Sequence, residues 1–539
     1  MDILSVSRNH DASIALLRDG EVVFHTQEER HSRKKKDGVP FWTLLKSAEL
    51  ITNLDHLCVS ATDAPGVITE PRGTQGTFYD IVLSKILKER TWQTSYYHDY
   101  HHLTHAAGSF YNSGFTSAVC VVFDGAGSTF NVNYLGQSVL ARETHSFFVA
   151  EYPARFECVF RKVFANQPVK PGTLLLNNVL SEISGATESF GFIFGKASEL
   201  VGLGYTEAGK FMGLSAYGEV DNSIPNLYNN NLANTEFWDK LEHVKNGDFQ
   251  KQANFAYTVQ KEVQEKAIAL VLKAIEMTGQ KNVVLSGGYA LNCTFNYELL
   301  KHLPADVKLY VEPVANDAGV SLGSAKLLWH SSTRDMTVRP QTSVYYGLEP
   351  ELIVNAESQK VTYDDVAKLI EDGNIVALFQ GKSEAGPRAL GNRSILFDPR
   401  HPNGKEIVNT VKGREWFRPF AGTVLEEHAK EWFDLRGMDS SPFMTYAVNV
   451  NEDKRSTIPA IVHVDGSCRI QTVSSEQNPH FYKLITAFYN RTNCPMLFNT
   501  SFNLSDEPMV ETVDDALSTL RRSKIDYVYF PELEIIVKE

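Results

Sequence analysis

The sequence predicts an α/β protein of two domains, the first internally duplicated. Three observations carry that expectation. Short apolar strands bounded by Gly and Asp turns occur in two comparable groups, near residues 1–27 and 117–147. Buried strands and an amphipathic helical stretch then follow one another, the pattern of a layered α/β fold. A segment that loses helical period and carries Thr, Arg, Pro and Ser, Ser331–Glu349, separates a first domain at 1–335 from a second at 346–539, with a linker at 336–345. The length of 539 residues fits this, at roughly 100–200 residues per structural unit.

The elements follow in order. Met1–Ser7, Ala12–Leu17 and Glu21–Gln27 read as strands, the last two joined by a turn at Arg18-Asp19-Gly20. The pattern returns at Ser117–Asp124, Thr129–Leu135 and Ser138–Phe147, with turns at Gly125-Ala126-Gly127 and Gly136-Gln137. Two such three-strand meanders suggest the duplicated halves of a nucleotide-binding fold of the actin and sugar-kinase type. Residues 155–274 read as helix or loop, including the amphipathic stretch Tyr257–Met277. Asn282–Ser286 reads as a buried strand running into Gly287-Gly288, and Val307–Val311 as another. In the second domain Tyr363–Asp372 reads as a helix stopped by Gly373, Asn374–Gln380 as a strand, and Pro495–Phe498 as a late strand leading to Asn499-Thr500-Ser501.

Composition narrows the function classes. Hydrophobic residues make up 43% and charged residues 22%, enough to bury a full core. No apolar run approaches the roughly 18 residues of a membrane span, and the N-terminus lacks a basic region followed by an apolar stretch. A cytoplasmic location without membrane partners is therefore expected. Six cysteines, at 58, 120, 158, 293, 468 and 494, stand singly, which argues for reduced, buried thiols rather than a zinc ribbon or disulfide framework. The net charge of −13 weighs against a long nucleic acid as partner. Lys34-Lys35-Lys36 is the one basic run, and such runs are usually solvated surface.

Chemistry concentrates in a few places. His98, His101, His102 and His105 put four of the sixteen histidines into eight positions. On a helix, His101 and His105 share one face and can bind one metal ion, while His102 points elsewhere. An isolated HxxxH pair more often packs or lies on the surface. Asp124 and Asp317 stand beside small residues, where a carboxylate can hold a cation. Two imidazoles with two carboxylates suit Fe(II), Mn or Zn and leave positions for substrate oxygens. Ser286-Gly287-Gly288 fits a phosphate or nucleoside loop, and Gly209-Lys210-Phe211-Met212-Gly213 sets a cation between glycines without matching a P-loop; both also fit plain turns. Between Gly381 and Phe420, eight Lys and Arg face four Asp and Glu, a local excess of four positive charges inside an acidic chain. Guanidinium forks fit phosphate and carboxylate oxygens, so this segment suggests a compact anion site, to which Arg469 and Asn499-Thr500-Ser501 could add donors.

These residues resemble a family. Asn9-His10-Asp11-Ala12-Ser13, Glu28-Glu29-Arg30 with Arg33 and Lys35, His101-His102-Leu103-Thr104-His105, Gly209-Lys210-Phe211-Met212-Gly213-Leu214, Ser286-Gly287-Gly288-Tyr289-Ala290-Leu291-Asn292 and Asn316-Asp317-Ala318-Gly319 stand in the order seen in the ATP-dependent O-carbamoyltransferases that decorate antibiotics and nodulation factors. Gly386-Pro387-Arg388 through Ser394, Arg414-Glu415 with Arg418-Pro419-Phe420, His463-Val464-Asp465 with Arg469, and Asn499 through Asn503 continue the match. Departures stand at Ala385, Gly422-Thr423 and Tyr289, and concern local pocket shape.

The resemblance implies a threonylcarbamoyl-transferase-like first domain followed by a threonylcarbamoyl-AMP-synthase-like one. Carbamoyl phosphate and ATP, with Mg, would give carbamoyl-adenylate in the second domain, and the first would pass the carbamoyl group to a hydroxyl of a small molecule. His101, His105, Asp124 and Asp317 would hold the metal, iron favoured. His10 would be the general base. Lys35, Arg388, Arg418, Arg469, Asn499 and Ser501 would grip carbamoyl phosphate and ATP, with Lys210, Ser286, Gly287, Gly288, Asn292 and Asn316 on the nucleotide side. A homodimer is left open. Three rivals remain: a tRNA threonylcarbamoylation enzyme, a sugar-kinase-like ATPase and a non-catalytic binding protein.

Overall fold

The computed structural model describes residues 1–61, 78–88, 91–185, 188–229, 232–234 and 236–538. The first sheet holds β1 (Asp2–Arg8), β2 (Ser13–Arg18), β3 (Glu21–Gln27), β4 (His56–Ala61) and β5 (Gln93–Tyr96), in the order β3-β2-β1-β4-β5. The first three strands are antiparallel, and β4 and β5 run parallel to β1. Its inner strands β1, β2 and β4 are buried on both faces, as their near-continuous apolar runs require.

The second sheet holds β6 (Ser117–Phe123), β7 (Thr129–Tyr134), β8 (Gln137–Glu151), β9 (Arg155–Ala165), β10 (Gly172–Leu176) and β11 (Val179–Ser184). After a two-residue hairpin, β12 (Tyr228–Asn229) and β13 (Leu232–Ala233), the chain returns to it as β14 (Asn282–Ser286) and β15 (Lys308–Val311). The path β9-β8-β6-β14-β15 repeats the order and the strand senses of the first sheet. The duplication is therefore real at the level of topology.

Its second copy is not the expected one. β7 is not the middle strand of a meander but lies end to end with β6 along one edge of the fifteen-residue β8: Phe123 pairs with His145 and Thr129 with Arg142. The gap between them is the turn at Asp124, which in the sequence looks like a hairpin loop. The true third strand is β9, inside the region expected to be helix or loop. Its buried Arg161 and Lys162 break the apolar pattern because they pair with Glu143 and Glu188.

Two helices run between the sheets, His101–Ser113 and Gly319–Thr333. They cross at Gly108 and Gly323: a Cβ on Gly108 would sit 3.1 Å from the Gly323 Cα, and one on Gly323 would fall on the Thr104 carbonyl oxygen. The first sheet is tied to the second helix by hydrogen bonds from Ser13 to the Ala318 carbonyl and Ser321, each 2.8 Å, and between Ser60 and Ser324, 2.6 Å. The long helix Phe249–Thr278 starts earlier than its amphipathic core, where the Asp248 side chain caps the Lys251 amide, and stops at left-handed Gly279.

The chain from Arg334 to Glu357 forms no regular element apart from a single bridge between Tyr345 and Glu384. Beyond it lies a ten-stranded mixed sheet. It comprises β16 (Ser358–Lys360), β17 (Val376–Phe379), β18 (Arg393–Phe397), β19 (Ala421–Leu425), β20 (Phe433–Asp434), β21 (Ala447–Val450), β22 (Ser467–Val473), β23 (Met496–Ser501), β24 (Tyr527–Phe530) and β25 (Ile535–Val537). The helix Tyr363–Glu371 opens with a capping box between Thr362 and Asp365. Asn499, Thr500 and Ser501 lie within β23 rather than beyond its end: Asn499 pairs with Ala421 and Ser501 with Ser394, which sets the following backbone at the centre of the sheet.

All six cysteines are free, five of them buried and Cys158 half-buried. Among the described residues no helix is long and apolar enough to cross a membrane.

Candidate metal centre and anion pocket

His101 and His105 stand one turn apart at the start of their helix, Asp124 at the end of β6, and Asp317 just before the helix Gly319–Thr333. One ligand atom from each lies within 4.8 Å of all the others. The His101 Nε2 is 3.2 Å from Asp124 Oδ2 and 3.5 Å from Asp317 Oδ1; the His105 Nε2 is 3.5 Å from Asp317 Oδ1 and 3.2 Å from the His101 Nε2. Four donors about 2.1 Å from a common tetrahedral centre lie roughly 3.4 Å apart, so the set fits a metal ion. The electrostatics agree. Burial opposes an imidazolium at His101, yet Asp317 and Asp124 override it and push the group up to about 10, while both aspartates stay below the usual carboxylate range despite burial. A site that draws a proton this strongly draws a cation. His102 faces away, its Nδ1 2.8 Å from the Ser146 hydroxyl, and burial lowers it to about 4.

His10 sits on the open side of this centre. Its side chain is 63% exposed, with Nδ1 3.5 Å from Asp317 Oδ2 and Nε2 3.4 Å from Asp11 Oδ2. Crowding by neighbouring atoms disfavours the charged ring, but Asp317, Asp11 and Asp124 outweigh it and raise the pKa. Asn316 supports the arrangement by donating to Asp11 Oδ2 at 2.8 Å, and its own buried Oδ1 has no partner in the protein.

The glycine loop serves the same centre. Gly287, with φ +84°, leaves no room for a side chain against Phe123, and the Gly288 N–H donates to Asp124 Oδ1 at 3.3 Å. Ser286 is buried at the end of β14. Two expectations change here. Asn292 is occupied structurally, its Oδ1 accepting from the Phe295 amide at 3.0 Å and its amide donating to Gln260, because it caps the next helix. Lys210 is not an open anion donor: its ammonium lies 2.8 Å from Glu415 and 3.6 Å from Glu207. Tyr289, one of the departures, packs in an aromatic core with Phe123, Phe190 and Phe295.

The second domain gathers cations. Burial pushes Arg388 down to about 9, with Arg469 adding to the effect. Burial and then Arg418 and Arg469 lower Arg414; burial and then Arg414, Arg418 and Lys35 lower Lys412. Lys35 is exposed at the rim of this group. The Nε atoms of Arg414 and Arg469 are buried without a partner in the protein. Cations crowded in this way repel one another, and an anion with several oxygens would relieve them. Ser501 donates to Asn503 Oδ1 at 2.6 Å, and its carbonyl accepts from Lys412. Asn499 is fully buried, donates to Thr423 Oγ1 at 2.9 Å and keeps a buried Oδ1 without a partner.

Sequence reasoning passed over Lys412 and Arg414 as site residues. A signal existed: Lys412 falls on the buried face of the amphipathic helix Gly404–Lys412, four residues after Val408. A lysine there needs a reason.

Fold and site together define a two-centre α/β protein, with a histidine–carboxylate centre in one half and a cationic pocket in the other. The family follows from sequence: residues 74–326 match the model for the carbamoyltransferase N-terminus and residues 367–536 that for the carbamoyltransferase C-terminus, and the chain belongs to this enzyme family. Nodulation protein NolNO of Sinorhizobium fredii is 31% identical over 564 residues, covering 96% of this chain and 77% of that one. The 3'-hydroxymethylcephem-O-carbamoyltransferase of Amycolatopsis lactamdurans is 30% identical over 356 residues, 62% of this chain and 66% of that one. Full-length HypF in its phosphate- and nucleotide-bound form is 14% identical, with a TM-score of 0.38, over 62% of this chain and 56% of that one.

Proposed function

We propose that this carbamoyltransferase is an ATP-dependent O-carbamoyltransferase that modifies a hydroxyl of a small molecule. The first domain, 1–335, is read as actin and sugar-kinase-like, and the second, 346–539, as threonylcarbamoyl-AMP-synthase-like, joined at 336–345. One observation carries the reading best. One short stretch of backbone links the two centres: Arg388 of the cationic cluster donates to the Leu291 carbonyl at 3.1 Å, and Gly288, three residues earlier, donates its amide to Asp124.

In the cationic pocket Arg388, Arg418, Arg469 and Lys35, joined by Arg414 and Lys412, hold carbamoyl phosphate and ATP. Carbamoyl phosphate loses its phosphate to water, and the resulting carbamate displaces pyrophosphate from ATP to give carbamoyl-adenylate. The guanidinium groups stabilise the phosphate charge that builds up in both steps. At the other centre the acceptor oxygen attacks the carbamoyl carbon, the bond to the AMP oxygen breaks with its electron pair, and His10 takes the hydroxyl proton. A divalent metal, iron favoured, held by His101, His105, Asp124 and Asp317 would supply positive charge beside the departing AMP. The small-molecule partner, a cytoplasmic setting and a homodimer belong to the same reading.

The test is mass spectrometry of hydroxyl-bearing compounds (aminoglycosides, lipo-oligosaccharides, ansamycin-like scaffolds and hydroxymethylated nucleotides) incubated with enzyme, ATP and carbamoyl phosphate. Addition of one CONH group is expected. ATP turnover that ignores carbamoyl phosphate, or that needs tRNA, would overturn the proposal.

A further inference from the structure

The segment Gly381–Asn392 that presents Arg388 is an irregular loop between β17 and β18, and three anchors define its shape. The first is internal. Glu384 is 2% exposed, and its Oε1 accepts from the backbone amides of Leu390 at 2.7 Å, Asn392 at 2.8 Å and Arg393 at 3.2 Å. One carboxylate oxygen thus closes the loop into a ring with Arg388 at its crown. The second is steric. Gly386, with φ +87°, packs so closely on the chain before Asp317 that a Cβ would sit 3.2 Å from Val314 Cγ2. The third comes from the first domain: Arg30 is 2% exposed, and its Nη2 donates to the Gly386 carbonyl at 2.9 Å.

Arg30 has no part in the proposed chemistry, yet a guanidinium is costly to bury for a single hydrogen bond. Its Nε and Nη1 have no partner in the protein, and neither do Glu384 Oε2, Glu511 Oε2 or Arg393 Nε. Arg393, fully buried, donates to the carbonyls of Gly381 and Asn392 at 3.0 Å each and stacks 3.8 Å over the Phe379 ring. At the base of the loop the buried carboxylates of Glu511 and Glu384 favour the charge on Arg393, while Arg30 opposes it. The same strap that supplies Arg30 also supplies Arg33, whose Nη1 and Nη2 donate to the carbonyls of Met509 at 2.6 Å and Pro508 at 3.0 Å, and then Lys35.

We propose that Arg30, acting through the Gly386 carbonyl and the Glu384-closed loop, is a positioning residue for Arg388, so that the first domain sets the affinity of the second domain's pocket for its anion. This deepens the function proposed above and rests on it for the identity of the anion. The chemistry recognised is a phosphate monoester or acyl phosphate held by a guanidinium fork whose direction depends on the loop.

The experiment is a double-mutant cycle on the full chain with Arg30→Met, Arg388→Met and both. It reads carbamoyl phosphate binding by calorimetry and carbamoyl-phosphate-dependent ATP consumption. Arg30→Met is expected to weaken binding and raise KM about tenfold with kcat changed less than about threefold, and in the Arg388→Met background to add almost nothing. Additive effects, or unchanged binding in Arg30→Met, would overturn the proposal. Should Arg30→Met fail to fold, Glu384→Gln enters the cycle in its place with the same expectation, since it keeps the shape and removes the charge. Wild type that binds carbamoyl phosphate without consuming ATP would sink the reaction proposed above, while the binding cycle would still decide the role of Arg30.

Discussion

His101, His105, Asp124 and Asp317 show what single residues could reveal. The histidine spacing announced a shared face, because i and i+4 coincide on any helix, but spacing could not show that two carboxylates from remote segments converge on it; only the family resemblance named all four together. Asp317→Asn is expected to cut metal occupancy at least about tenfold, as measured by plasma mass spectrometry after reconstitution with Fe(II). Full occupancy would remove Asp317 from the ligand set. His25 gives a pH prediction outside that set. It is buried, with Nε2 2.8 Å from the Ala318 carbonyl, and burial lowers its pKa from 6.5 to about 4. Below pH 6.5 the unfolded chain takes up a proton that the folded chain refuses, so the stabilisation present above 6.5 is lost as pH falls toward 4. In urea titrations of the metal-free protein, His25→Gln should lose less stability than wild type over that window, by about 3 kcal/mol at its acid end. Parallel pH profiles would contradict this.

At the scale of elements, strands with strong apolar runs were legible to within a residue or two: β3 and β14 occupy the expected positions. The reading failed at β9, where ion pairs with Glu143 and Glu188 satisfy charged residues inside a sheet, and in the placement of β7, whose strand stands where expected but follows a turn at Asp124 that resembles a hairpin. Both failures come from pairing with chain segments that local pattern cannot show. The crossing of His101–Ser113 with Gly319–Thr333 fixes two of the ligand-bearing segments against each other, and it depends on Gly108 and Gly323. Gly323→Ala would press a methyl group onto the Thr104 carbonyl. We expect a stability loss of about 3 kcal/mol by denaturant titration, together with a fall in metal content. A well-folded variant with full metal content would show that the crossing can adjust.

Across the whole molecule, the −13 net charge and the cationic pocket coexist because charge is distributed by fold rather than by composition. The buried, mutually repelling cations Arg388, Arg414 and Lys412 would be relieved by a bound anion. Pyrophosphate at a hundredfold excess over its Kd should stabilise the protein by about 2.7 kcal/mol, visible as a rise in Tm that added salt weakens. Arg388→Ala should abolish most of the rise, and an equal rise in the variant would place the anion elsewhere. The sequence by itself determined the α/β class, the two groups of strands, the HxxxH face and the excess of arginine, because each is a local pattern of spacing or charge. Only the tertiary structure decided that Asp124 and Asp317 complete the histidine pair, that Lys210 and Asn292 are committed to other partners, and that Arg30 reaches the Arg388 loop. Those contacts join residues up to several hundred positions apart, and which of them form is set by how whole sheets and helices pack.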